Sequence, residues 1–202
     1  MSLAKQYEHS KNFDGVESLF EKIFKKYKSS KEVWMAYHSF KLQHGERAAA
    51  RESLERSFLS CANEDIIPIY LNYISTEYNL NSVAAIESAR DLFENQLLNK
   101  YPKRTDLWYI YVDKELKALK RIKEQQSTHQ PTENGTSNDV LMENSLAHLR
   151  NIFLRLIAMK TNSTNMKIIF KKFLNFEMNY GSAESQSLVK AKAKEYVENL
   201  MK

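Results

Sequence analysis

Four times along the chain an aromatic pair recurs at a spacing of three: Trp34 with Tyr37, Tyr70 with Tyr73, Trp108 with Tyr111, and Phe170 with Phe173. That spacing puts both rings on one face of an α-helix. Four residues further on stands a glutamate in three of the cases (Glu77, Glu115, Glu177) and Lys41 in the first. Each segment is followed by a second amphipathic one, in which a basic residue precedes apolar residues at helical spacing. Arg51 precedes Leu54 and Phe58, Arg90 precedes Phe93 and Leu97, Arg150 precedes Phe153 and Leu156, and Lys190 precedes Ala193 and Val197. Val16, Phe20 and Phe24 mark one more segment of this second kind.

From Trp34 to Tyr70 is 36 residues, and from Tyr70 to Trp108 is 38. A period in the mid-thirties with two helices per period predicts an all-α, right-handed α-solenoid of the tetratricopeptide type, about five antiparallel pairs in a single domain over residues 1–202. With 4 glycines and 3 prolines in 202 residues, the punctuation that strands need is missing. The interval from Trp108 to Phe170 is 62, and a polar stretch at about 124–140, with Pro131 and Gly135, is expected as a flexible insert. Gly15, Gly45 and Gly181, and either Asn79 or Asn81, are expected as left-handed turn residues between helices. Ser29 and Glu32 form the pattern of a capping box, and Pro68 and Pro102 suit helix starts. A lone helix pair cannot hide its apolar stripe, so the recurring aromatics are expected in the core. Glu77 with Arg90, and Glu115 with Arg150, are expected to meet inside their helix pairs as register devices.

No constellation for catalysis, metal or cofactor is legible, and neither an enzyme nor a small-molecule substrate is expected. The histidines (His9, His38, His44, His129, His148) contain no H-x-x-x-H pair. His44-Gly45-Glu46 reads H-x-E, but the paired cysteines of a zinc deaminase are missing, and the single Cys61 excludes an internal disulfide. Apolar runs are too short to span a membrane, and the first residues lack the apolar core of a signal peptide, which predicts an intracellular chain. The net charge of +5 is unevenly spread. Residues 61–99 hold one basic residue, Arg90, against six acidic ones, whereas 100–124 and 160–202 are basic. Four basic clusters are candidates for binding RNA or a partner: Lys103 and Arg104; Lys120, Arg121 and Lys123; Lys171 and Lys172; Lys190, Lys192 and Lys194. They lack interleaved aromatics for base stacking, and each can also be read as a solvated helix face.

Helix pairs of the form W-x-x-Y…E followed by A-R-x-x-F-E resemble half-a-tetratricopeptide (HAT) repeats. The segments YPKRTDLWYIYVDKELK, LRNIFLRLIAMK, MKIIFKKFLNFEMNYGS and VKAKAKEYVENLM are similar, in that order, to the closing region of a large eukaryotic pre-ribosomal RNA processing factor family, rRNA biogenesis protein five (programmed cell death protein eleven in animals). NFDGVESLFEKIFKKYKSSKEVWMAY is similar to the opening of the same region, and the insert is longer than that family's usual one. The resemblance implies a C-terminal fragment whose first helix, SLAKQYEHSKNFD, is cut short. It further implies a nuclear, nucleolar protein-interaction scaffold in pre-rRNA processing and in small- and large-subunit ribosome assembly. Its partners would be other ribosome-assembly proteins and small-nucleolar ribonucleoprotein components. Two alternatives stay open: direct binding of pre-rRNA or snoRNA through the basic second half, and a HAT scaffold of mRNA splicing or 3′-end processing.

Overall fold

The computed structural model describes residues 13–128, 135–159 and 161–200. Most of the expected first helix, with His9, His129 and Pro131, lies outside the described residues. Nine α-helices are described, with no strand among the described residues. They are α1 (Phe13–Lys26), α2 (Lys31–Gln43), α3 (Arg47–Ser60), α4 (Ile66–Leu80), α5 (Val83–Asp91), α6 (Thr105–Thr128), α7 (Gly135–Ala158), α8 (Ser163–Tyr180) and α9 (Ala183–Leu200). The chain divides into two compact units, Met1–Pro102 and Lys103–Lys202. Repeats touch only their neighbours, so an array of this kind divides at a connection instead of closing round one shared core.

In the first unit α2 packs on α3 and on the next first helix, α4, while α4 in turn packs on α5. Its core takes Phe20, Trp34, Leu54, Tyr70, Tyr73, Ile74, Phe93 and Leu97. A polar seam runs between the two first helices, where the Ser39 and Thr76 hydroxyls are 3.0 Å apart. After Asp91, α5 widens into a π-helical segment, Leu92–Leu98. Leu92 and Phe93, then Leu97 and Leu98, are all buried, a pattern of adjacent apolar pairs that the extra residue per turn accommodates.

In the second unit α6 packs on α7, α7 on α8, and α8 on α9. Trp108, Tyr111, Phe153, Phe170 and Phe173 are buried, with the Phe153 and Phe173 rings stacked at 4.7 Å. The last helix is only half covered: Val189 is buried, whereas Val197, expected on the apolar stripe, is exposed.

Part of the expected insert lies outside the described residues; on either side of it α6 runs on to Thr128 and α7 begins at Gly135. A polar segment can extend a helix whose neighbouring turns are already anchored by packing. Gly15 lies within α1 and not in a turn. Gly45 (φ 81°) and Asn81 (φ 52°) are left-handed, as expected. Gly181 is not: its φ is −108° with ψ −173°. A Cβ there would overlap the Glu177 carboxylate and the Ser185 hydroxyl, so space and not φ calls for glycine. The N-cap of α2 is Ser30 and not Ser29, and its hydroxyl donates to Glu32 (2.8 Å) without capping the backbone. Working side-chain caps occur elsewhere, at Ser82 and Asn162.

Candidate functional site

The ionic positions are built by consecutive helices, but in a different pairing from the expected one. The Glu77 carboxylate, 1% exposed, accepts from Arg47 Nη2 (2.9 Å) and from the Ser88 hydroxyl (3.0 Å). Arg47 opens α3, the second helix of the preceding pair, one turn before Arg51, the recurring basic position of that helix. Arg51 lies 3.5 Å from Asp91 instead. Likewise Arg150 of α7 grips Glu177 of α8 with both arms of its fork, Nε to Oε1 at 2.8 Å and Nη2 to Oε2 at 3.1 Å. Glu115 has His148 Nε2 at 3.9 Å, and that ring nitrogen is 2.7 Å from the Tyr111 hydroxyl. Arg47–Glu77 and Arg150–Glu177 thus run forward from one helix pair to the next, unlike the expected Glu77–Arg90 and Glu115–Arg150 pairings, whereas Glu115 and His148 approach inside one pair. A second helix lies between its own first helix and the following one, and a long guanidinium reaches either.

The first pair follows the same route with the charges exchanged. Lys41, 4% exposed, takes the place of the glutamate on α2, and its Nζ donates to Glu17 of α1 and to Glu46. Burial alone would lower the Lys41 pKa, but the two carboxylates outweigh it and raise it. Burial holds the Glu77 carboxyl above its usual range in spite of Arg47 and Ser88. At Glu177 burial also acts upward, yet the Arg150 fork and the Ser185 hydroxyl prevail and the pKa falls. These are structural joints, each fully engaged, and none presents a free reactive group.

The aromatic row is equally occupied. Trp34, Tyr70, Tyr73, Trp108, Tyr111, Phe170 and Phe173 are buried and Tyr37 is half-buried, so the recurring rings do not form a stacking platform. Among the described residues no group of three His, Cys, Asp or Glu could hold a metal ion. No described helix is long and apolar enough to cross a membrane.

The basic candidates stay dispersed. Lys103 precedes α6, whereas Lys123 lies in its second half, ~27 Å along the helix from its first residue, Thr105. Arg104 is engaged with Asp106, Lys120 lies 3.7 Å from Glu124, and Lys123 sits over the Tyr180 ring at 5.0 Å. Arg121 is half-buried. Lys172 donates to Asp113 (2.6 Å), whereas the exposed neighbour Lys171 makes no ion pair among the described residues. On α9, Lys190 and Lys192 are likewise unpaired there, and Lys194 lies 3.8 Å from Glu198. Sequence reasoning passed over Lys25, Lys28 and Arg56 in the first unit. Lys25 and Lys28 are neighbours in sequence but Arg56 is far from both, and only helix packing brings it to the same opening.

Consecutive helix pairs with buried aromatic positions and forward ionic joints define a HAT-repeat, tetratricopeptide-like α-solenoid. The family described as Suppressor of forked protein (Suf) matches residues 1–90. Over 98% of its length the chain is 30% identical to the human Protein RRP5 homolog and 28% identical to the mouse one. It is 28% identical over its whole length to the rRNA biogenesis protein RRP5 of Arabidopsis thaliana. Along nearly all of its length the chain is thus similar to RRP5 proteins of animals and plants. It spans about a tenth (9%) of the length of each of these three relatives.

Proposed function

We propose that the chain is a protein-interaction scaffold acting in rRNA biogenesis within the nucleus and nucleolus. In this reading its helices dock other ribosome-assembly proteins and small-nucleolar ribonucleoprotein components. The observation that carries the reading is the state of the recurring positions of the repeat: aromatics and ionic residues are taken up by joints between helices, leaving broad helical surfaces as the functional part. Similarity to RRP5 proteins along the whole chain supports ribosome assembly over a role in mRNA splicing or 3′-end processing. Purification of the tagged chain from cell nuclei tests this: ribosome-assembly factors should co-purify, and recovery of splicing or 3′-end factors instead would refute it.

Direct RNA contact is the second reading, favoured by Lys171, Lys190 and Lys192, which have no ion pair among the described residues. Phosphate contacts release counterions, so such binding would weaken steeply with salt. Titrating labelled pre-rRNA against the chain and its Lys171→Glu, Lys190→Glu, Lys192→Glu variant separates the two. Loss of a salt-sensitive complex in the variant would favour RNA, and unchanged or negligible binding would favour the scaffold alone.

A further inference from the structure

We infer that a groove at the ends of α1 and α3 is a docking site for an acidic protein segment carrying an apolar anchor residue, an inference that rests on the scaffold reading. The groove holds about 590 Å³, within the range of ligand-sized sites. Its apolar part is Phe24, Trp34 and Leu59. Leu59 is 90% exposed, although it lies on the groove wall beside two aromatic rings. A single exposed leucine needs no explanation by itself. Here it stands among three cations, Lys25, Lys28 and Arg56, all exposed. None of the three has an ion pair among the described residues, in contrast to the engaged Lys41, Arg47 and Arg150. Glu21 is the one acidic residue in the lining, so the groove carries an excess of positive charge.

The chemistry selects a peptide over a nucleic acid. The Phe24 and Trp34 rings pack on each other at 4.4 Å, and the indole N–H donates to the Lys28 carbonyl (2.9 Å). Trp34 is buried, so it offers no open face on which a base could stack. An aliphatic or aromatic side chain can instead cover Leu59 and the Phe24 edge, with flanking carboxylates facing Lys25, Lys28 and Arg56. An apolar anchor inside a charged rim is the usual division between affinity and orientation in such sites.

A fluorescein-labelled peptide of Asp-Glu-Leu-Phe repeats tests this by anisotropy on the full chain, beside the same peptide with its acids changed to serine and a labelled oligouridylate. The acidic peptide should bind more tightly than both. Leu59→Asp should weaken it by about tenfold or more, the affinity that burying one leucine supplies. Charge reversal at Lys25, Lys28 and Arg56 should weaken it similarly, and circular dichroism should confirm that both variants remain helical. Equal binding of the serine peptide, tighter binding of the oligouridylate, or binding indifferent to both variants would overturn the groove. Nuclear purification with the Leu59→Asp chain separates this from the scaffold reading. An undiminished set of assembly factors would sink the groove alone, whereas no assembly factors on the parent chain would sink the scaffold.

Discussion

Glu17 on α1 and Lys41 on α2 meet by the route that joins Arg47 to Glu77 and Arg150 to Glu177, but with acid and base exchanged. What the joint requires is opposite charge at a fixed place, and either polarity serves. Lys41→Glu would bury a third carboxylate beside Glu17 and Glu46 and should destabilise the fold by more than ~3 kcal/mol. Adding Glu17→Lys to the same chain should recover part of that loss in urea denaturation. No recovery would mean that the two side chains are neighbours without coupling.

Arg150→Ala leaves Glu177 buried without its fork. Because the arginine itself is 38% exposed, water screens the pair, and a loss of about 1–3 kcal/mol is expected near neutral pH. The folded-state pKa of Glu177 is depressed, so this contribution is present above the unfolded carboxylate range and fades as pH falls through the folded value. Lys171→Ala and Lys192→Ala remove no ion pair and should change stability by less than ~0.5 kcal/mol. Denaturation of the three variants at neutral and acid pH checks both statements.

His38 is fully buried beside the Trp34 ring at 6.0 Å and the Tyr73 ring at 5.8 Å, and although the Ser53 backbone lies near, neither ring nitrogen makes a well-formed hydrogen bond among the described residues. Burial pushes its pKa down to about 4, with the Ser53 backbone acting weakly in the opposite direction. The unfolded chain takes up this proton near pH 6.5 and the folded chain does not. Stability should therefore fall as pH drops from about 6.5 to about 4, by about 3 kcal/mol in total, and no further through this group below that. His38→Leu should remove that part of the slope. It should also raise stability at neutral pH by about 1 kcal/mol, since two orphaned polar atoms disappear. A pH titration of the melting temperature that has the same slope for both chains would refute this.

Two turn glycines should respond oppositely to asparagine. At Gly45 nothing lies within 4 Å of a Cβ and the demand is a positive φ, which asparagine tolerates. At Gly181 a side chain would drive into Glu177 and Ser185 and come within 2.9 Å of the Glu177 carbonyl oxygen. Gly45→Asn should cost less than ~1 kcal/mol and Gly181→Asn about 1–3 kcal/mol. The melting temperatures of the two variants are the measure.

The helix pairs were legible because burial of an apolar stripe imposes a period on the sequence itself. The buried Trp108, Tyr111, Phe153 and Phe173 occupy the places that this period assigns. Gly45 was legible for a related reason, since a left-handed residue restricts the local choice of side chain, whereas between Asn79 and Asn81 only the structure chose Asn81. Gly181 was misread because steric room depends on which carboxylate lies across the turn, not on the turn.

The sequence by itself determined the helical class, the order of the pairs and, except along much of the last helix, the buried face, all of which follow from local periodicity. Only the tertiary structure decided that Glu77 is held by Arg47, that Arg150 turns forward to Glu177, and that Lys25, Lys28 and Arg56 surround one opening. Those choices depend on distances between helices that a one-dimensional pattern does not encode. A long charged side chain can reach either of two flanking helices, and packing alone selects which one it meets.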